Sequence, residues 1–145
     1  MKRSFILLSA ITLGLFSSCS DDDSSESPED ALIGSWQLVS ESENDDPFEL
    51  DNCDLEETVI FKSDGVFEYI DYDPAEGNEN ECVVDDNDNF SGKWEITDAG
   101  KLFTAEDGFD GETADYTISG DQLTISTVDQ DENGTYVYKA TYKKK

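Results

Sequence analysis

Gly92-Lys93-Trp94-Glu95-Ile96-Thr97 alternates apolar and polar residues, with Trp94 and Ile96 on one face. Successive side chains of a strand point to opposite faces, so this period marks a strand with one buried side. Asp98-Ala99-Gly100 supplies a turn into Lys101-Leu102-Phe103-Thr104-Ala105. The pattern extends both ways. Upstream, Thr58-Val59-Ile60-Phe61-Lys62, the turn Ser63-Asp64-Gly65 and Val66 to Tyr72 form a hairpin, and Gly34-Ser35-Trp36-Gln37-Leu38 sets Trp36 and Leu38 on one face. Downstream, Gly120-Asp121 separates Tyr116-Thr117-Ile118-Ser119 from Gln122 to Val128. Asn133-Gly134, a strong hairpin signal, leads into Thr135 to Tyr142, where Tyr136, Tyr138, Ala140 and Tyr142 share a face. Strands are thus predicted at 33–40, 57–62, 66–72, 91–97, 101–105, 113–119, 122–128 and 135–142, and no segment keeps a helical period. Neighbouring strands joined by short turns pair antiparallel. The expectation is all-β: an eight-stranded antiparallel up-and-down barrel, a size that can hold one small ligand. A two-sheet sandwich would bury the same residues and is the rival architecture. Residues 41–54 read as acidic and irregular, and 73–89 as a long polar loop.

The 145 residues suit one domain. They carry 36 acids, 9 bases and no His, for a net charge of −27. A nucleic-acid binder needs a cationic surface, so that class is excluded. Nucleophilic triads and zinc sites lack their histidine, and no Gly-rich phosphate loop opens a helix. Carboxylate pairs are uninformative among 36 acids. The chain therefore reads as a non-enzyme without cofactor or metal. Asp129-Gln130-Asp131-Glu132-Asn133-Gly134 resembles half of a calcium loop, but Ala140 stands where a bidentate Glu is needed. It reads as an acidic hairpin turn, and Asp85-Asp86-Asn87-Asp88-Asn89 as a solvated loop.

Lys2 and Arg3 precede the apolar run Phe5 to Phe16. That run is shorter than the ~20 residues a membrane-spanning helix needs and reads as the core of an export signal. Leu15-Phe16-Ser17-Ser18-Cys19 resembles a bacterial lipoprotein signal, which implies a lipidated Cys19 as the mature N-terminus. Ordinary secretion with Cys19 in a disulfide is the alternative. Ser20-Asp21-Asp22-Asp23 resembles the Ser/acidic tetrad that directs lipoproteins to the cell surface in gut and marine Gram-negative bacteria; the alternative is an acidic linker. Residues 1–18 are thus expected to be a signal peptide, 19–31 the lipidated Cys and a flexible acidic tether, and 32–145 the barrel domain. Losing residues 1–18 removes Lys2 and Arg3 and no acid, which takes the charge from −27 to −29. Such a surface repels anionic headgroups, so the membrane partnership runs through the N-terminal lipid.

With Cys19 acylated, Cys53 and Cys82 remain, and in an oxidising compartment they are expected to pair. Two free thiols are the alternative.

The ordered series Leu32-Ile33-Gly34-Ser35-Trp36, Cys53, Phe61-Lys62-Ser63-Asp64-Gly65-Val66-Phe67, Cys82, Ser91-Gly92-Lys93-Trp94, Leu123-Thr124-Ile125 and Tyr142-Lys143 resembles the lipocalin-like domain of lipoproteins from the same bacterial group, over residues 31–143. The resemblance implies a small antiparallel barrel tethered to the outer membrane. Gly34-Ser35-Trp36 is similar to the Gly-x-Trp of true lipocalins, whose Trp closes the barrel base beneath an Arg. No Arg follows Arg3 here, and Lys143 or Lys144 would supply the cation. The expected protein is a lipid-anchored, surface-facing outer-membrane lipoprotein holding a small apolar or amphipathic molecule. Trp36, Phe61, Phe67, Tyr69, Trp94, Tyr116, Tyr136 and Tyr138 are its candidate lining. A pocket of roughly 300 Å³ or more is expected near Phe67, Tyr69 and Tyr136, reached past the acidic loops, whose charge favours neutral or cationic ligands. The alternative is a filled barrel acting as an interaction or inhibitor module through loops 41–54 and 73–89. Interior volume separates the two.

Overall fold

The computed structural model describes residues 27–132 and 134–145. The signal segment, Cys19, the Ser20–Asp23 tetrad and Asn133 of the last predicted turn lie outside the described residues. The strands are β1 (Gly34–Glu43), β2 (Asp46–Pro47), β3 (Thr58–Phe61), β4 (Val66–Ile70), β5 (Tyr72–Ala75), β6 (Asn78–Val84), β7 (Phe90–Ile96), β8 (Leu102–Glu106), β9 (Glu112–Ser119), β10 (Gln122–Asp131) and β11 (Gly134–Lys144). A sheet of order β11-β10-β9-β8-β7-β4-β3-β1 closes because β11 also pairs with β1. That antiparallel seam runs from Trp36 opposite Lys144 to Glu43 opposite Tyr138. The eight predicted strands are the eight barrel strands, and the seam rules out the sandwich.

Local chemistry sets the turns. Gly65 takes φ +79°, and Val66 N–H donates to Asp64 Oδ1 at 3.2 Å, which returns β3 into β4. Between β1 and β2, Asn44 and Asp45 both take positive φ, as the tightest two-residue hairpins require. Gly92 has another role. A Cβ there would lie 2.1 Å from the Ala105 carbonyl oxygen and 2.7 Å from Phe67 Cε1, so its bare backbone lets the Phe67 ring lie across β7.

The core gathers at one end, the base. Trp36 is 0% exposed and clusters with Leu32, Phe61, Trp94, Leu102 and Leu123. A short helix, α1 (Pro28–Leu32), sits at this end. Asp30 N–H donates to Ser27 Oγ at 3.1 Å, Pro28 starts the helix, and Glu29 and Asp30 complement its positive end. Trp36 Nε1 donates to the Leu32 carbonyl at 2.7 Å. Lys144 Nζ lies 5.1 Å from the centroid of the Trp36 ring, so Lys144, not Lys143, supplies the cation.

Three segments depart from the sequence reading. α1 occupies the end of the stretch expected to be tether; five residues are too few to show a period, and the Ser-Pro cap was its only signal. The predicted loop 73–89 carries β5 and β6, which form a separate two-stranded sheet. Their sequence, rich in Asp, Glu and Asn, buries no apolar face and so shows no alternation. Cys82 accordingly lies in β6 rather than in a loop. The irregular stretch 41–54 contributes the end of β1 and all of β2.

Cys53 and Cys82 form a disulfide with Cα atoms 5.4 Å apart. Cys53 is 1% exposed, and the bond ties the β5–β6 sheet to the loop before β3. A loop of this length contributes about 3–4 kcal/mol in the chain-entropy model.

Candidate functional site

The end opposite α1 is the mouth. It carries the segments after β1, between β4 and β7, and between β8 and β9, all rich in Asp and Glu. Below it a cavity of about 380 Å³ lies between the strands. Phe61, Phe67 and Phe90 form its aromatic wall, Val59 continues that wall along β3, and Ile125 of β10 and Tyr142 of β11 complete the lining. Phe61 and Phe67 stand 6.5 Å apart between ring centroids, and Phe67 meets Phe90 edge-on at 5.9 Å. Phe109 is 70% exposed and stands at the rim with Asp110 and Glu112. A shallower groove of about 550 Å³ continues outside past Tyr69 and Phe90 to Asn89 and Asp107.

The expected lining residues divide by depth. Phe61, Phe67 and Tyr69 border the cavity. Trp36 and Trp94 lie in the core cluster. Both indole N–H groups are bonded to backbone carbonyls, Trp94 to Lys62 at 3.0 Å, so they offer a ligand no donor. Tyr116 packs against the core and does not border the cavity. Tyr138 donates to Glu41 Oε1, and its ring tilts against Phe48 at 6.2 Å. Tyr136 stands opposite Asp129, beyond the stretch where β10 pairs with β9. Tyr142 takes the place expected for Tyr136. Tyr142 shares the inward face of β11, but its depth depends on register with β1 and β10, which parity alone does not give.

The sequence reading also missed two interior acids. The β1–β11 register slips between Leu38 and Ser40, a bulge that leaves Val39 44% exposed and turns Glu41 onto the same face as Leu38. Glu57 precedes β3 in phase with Val59 and Phe61, a signal the sequence did contain. Tyr69 donates its hydroxyl to Glu57 Oε2. Burial pushes the Glu57 carboxyl up to about 7; the Tyr69 bond opposes this, while Asp71, Glu41 and Asp54 add to it. Burial first, then the Glu57 and Glu41 carboxylates, raises the Tyr69 and Tyr138 hydroxyls above the ordinary phenol value. Tyr142 is raised by burial and by the same two acids.

A stability signature follows from Glu57. The unfolded carboxyl releases its proton near 4.5 and the folded one near 7. Between those values the folded chain holds more protons, so stability falls as pH rises through the window. Glu57→Gln imitates the protonated form. It is expected to gain about 1–2 kcal/mol over the parent at about pH 8, after discounting for partial exposure, and nothing at about pH 4. Urea titrations at both pH values measure this, and an equal effect at both would contradict it.

Asp129, Gln130 and Asp131 are paired in the β10–β11 ladder. Asp71, Asp85 and Asp88 bring carboxylate oxygens within 4.8 Å of one another, and Asn87 N–H bonds Asp85 Oδ1 at 2.9 Å within that turn.

A closed antiparallel barrel with a closed base, an acidic mouth and an interior cavity defines a calyx-type fold. The lipocalin-like domain model matches residues 32–125, and the chain belongs to that family. No curated protein matches the sequence. Among solved structures, bovine odorant-binding protein in complex with a selenium-containing odorant is similar at 15% identity and a TM-score of 0.44, over 81% of this chain and 72% of that one. Bovine odorant-binding protein complexed with its natural ligand is similar at 16% identity and a TM-score of 0.43, over 79% and 72%.

Proposed function

We propose that this protein is a surface-facing, lipid-anchored outer-membrane lipoprotein whose barrel holds a small apolar or amphipathic molecule, and that it is not an enzyme. The interior cavity of about 380 Å³ carries the reading. A filled barrel acting only through its acidic loops would have closed that space with side chains. The aromatic wall supplies apolar contact, and polar groups at one side would orient a ligand, the usual division in small-molecule sites. The test is native mass spectrometry of protein purified from its host. A co-purified small molecule, displaced by an apolar fluorescent probe, supports the reading. A bare chain that takes up no apolar probe saturably overturns it.

The anchor rests on Cys19 behind a short apolar run. Among the described residues no helix is long and apolar enough to cross a membrane. Cys19→Ala is expected to move the protein from the membrane fraction to the soluble fraction, since a chain this acidic has no electrostatic hold on anionic lipid. Retention of the variant in the outer membrane contradicts the anchor. Replacing Asp21, Asp22 and Asp23 with Ala is expected to leave the protein lipidated but shielded from external protease. Unchanged accessibility makes those acids a linker.

A further inference from the structure

Among the described residues, Glu41 and Glu57 turn toward the barrel interior and neither forms an ion pair. Tyr69 and Tyr142 border the cavity, whose own acids, Glu106, Asp110 and Glu112, lie toward the rim. Glu41 and Glu57 adjoin it through the strand register: Leu38 stands opposite Tyr142 and donates its N–H to the Glu57 carbonyl at 2.9 Å, and Glu41 stands opposite Ala140. Tyr69 donates to Glu57 Oε2 and Tyr138 to Glu41 Oε1, so one oxygen of each carboxylate is taken by a phenol and the other has no hydrogen bond among the described residues. The ion pairs of the described residues lie elsewhere: Lys62 with Glu68, Lys101 with Asp115, Lys139 with Asp45 and Lys143 with Asp121. Lys145 reaches Thr58 Oγ1 at 3.2 Å, on the face of the chain opposite Glu57 and Val59. Tyr142 packs on the core, and its hydroxyl takes part in no hydrogen bond among the described residues; Glu41 and Glu57 are the charges that act on it. That phenol, beside two half-satisfied carboxylates, leaves one hydroxyl donor against several open acceptor positions.

We propose that the cavity selects a primary ammonium carried on a small apolar body, with the apolar part against Phe61, Phe67 and Phe90 and the ammonium bonded by Glu41, Glu57 and the Tyr142 hydroxyl. The proposal rests on the ligand-binding reading of the cavity and adds the chemistry of the headgroup. An ammonium has three N–H donors and no acceptor, which matches three oxygens. An alcohol offers one donor. A carboxylate offers none and is repelled. Charge-assisted bonds in a partly desolvated site are about twice as strong as neutral ones, so the headgroup decides among ligands with similar apolar bodies. Every group acting on Glu57 is acidic or phenolic: Tyr69, Asp71, Glu41 and Asp54. Its carboxyl takes up a proton near pH 7, so ammonium binding weakens as pH falls through neutrality.

The test uses the full chain carrying Cys19→Ala, which removes the acylation site, and titration calorimetry with n-octylammonium, 1-octanol and octanoate. At about pH 8 the ammonium is expected to bind roughly tenfold or more tighter than the alcohol, and the octanoate more weakly than either. The preference is expected to persist in about 0.5 M salt, because interior groups are poorly screened. It is expected to shrink several-fold at about pH 6. In the double variant Glu41→Gln, Glu57→Gln the ammonium-to-alcohol ratio is expected to approach one; the pH series on the parent chain tests the same point without any substitution. Alcohol binding as tight as ammonium binding overturns the proposal and leaves the cavity reading intact. Saturable binding of none of the three overturns both. A preference that disappears in high salt assigns it to the rim acids and overturns the interior pair.

Discussion

Trp36→Ala is expected to cost about 3–5 kcal/mol of folding stability. Three separate losses converge on this residue. The ring is wholly buried between α1 and the barrel strands, so truncation leaves a cavity that its neighbours on β3 and β7 cannot close without breaking their ladders. The indole N–H holds the Leu32 carbonyl, so α1 loses its tie to β1. The Lys144 ammonium loses the ring face it lies over. In a domain of this size such a loss lowers the thermal midpoint by about 10 °C or more. Lys144→Met removes the ring contact and the exposed bond from Lys144 Nζ to the Ala31 carbonyl at 3.3 Å, and is expected to cost about 1 kcal/mol. Urea denaturation of both variants measures the difference. A Trp36→Ala cost comparable to that of Lys144→Met would mean that the base is not the core of the fold.

Gly92→Ala, a change of one methyl group, is expected to destabilise the barrel by about 3 kcal/mol, at the upper end for overpacking. The added carbon would lie 2.1 Å from the Ala105 carbonyl oxygen. That oxygen belongs to β8, which pairs with β7 through Lys93 opposite Ala105, so it moves only if the ladder opens. The same carbon would lie 2.7 Å from Phe67 Cε1, and displacing that ring fills part of the cavity. The variant is therefore expected to lose apolar probe binding in addition to stability. Gly100→Ala serves as contrast. Its surroundings are open but its φ is +75°, so it is expected to cost only about 1 kcal/mol through the backbone. Gly92→Ala and Gly100→Ala with equal denaturation midpoints would contradict the close approach of Phe67.

The barrel strands were legible because each buries one face, and burial writes alternation into the sequence. Trp94 and Ile96 on β7 are the plainest case. The Ser63-Asp64-Gly65 turn was legible because its φ requirement selects Gly. The β5–β6 sheet was not. Its chain is mostly polar, Val83 and Val84 are exposed, and a disulfide from Cys82, not apolar packing, ties it to the barrel. The cavity was half legible. Parity separates inward from outward residues, so Phe61, Phe67 and Tyr69 were found. Parity carries no depth, so Trp36 and Trp94 at the floor, and Tyr136 and Tyr138 farther up, were not told apart from them. Glu41 was hidden for another reason, since one extra residue in β1 reverses the parity of everything after it.

That extra residue makes strand length, rather than residue identity, the setting for the interior. A chain without Val39 would run β1 straight and still present Glu41 inward. A chain that kept Val39 but relaxed the bulge would turn Ser40 and Ser42 to the inside and Glu41 to solvent, exchanging one of the two interior acids for hydroxyls with no substitution anywhere. The way β1 accommodates this one extra residue is therefore a short route between barrels of the same shape and different ligand chemistry.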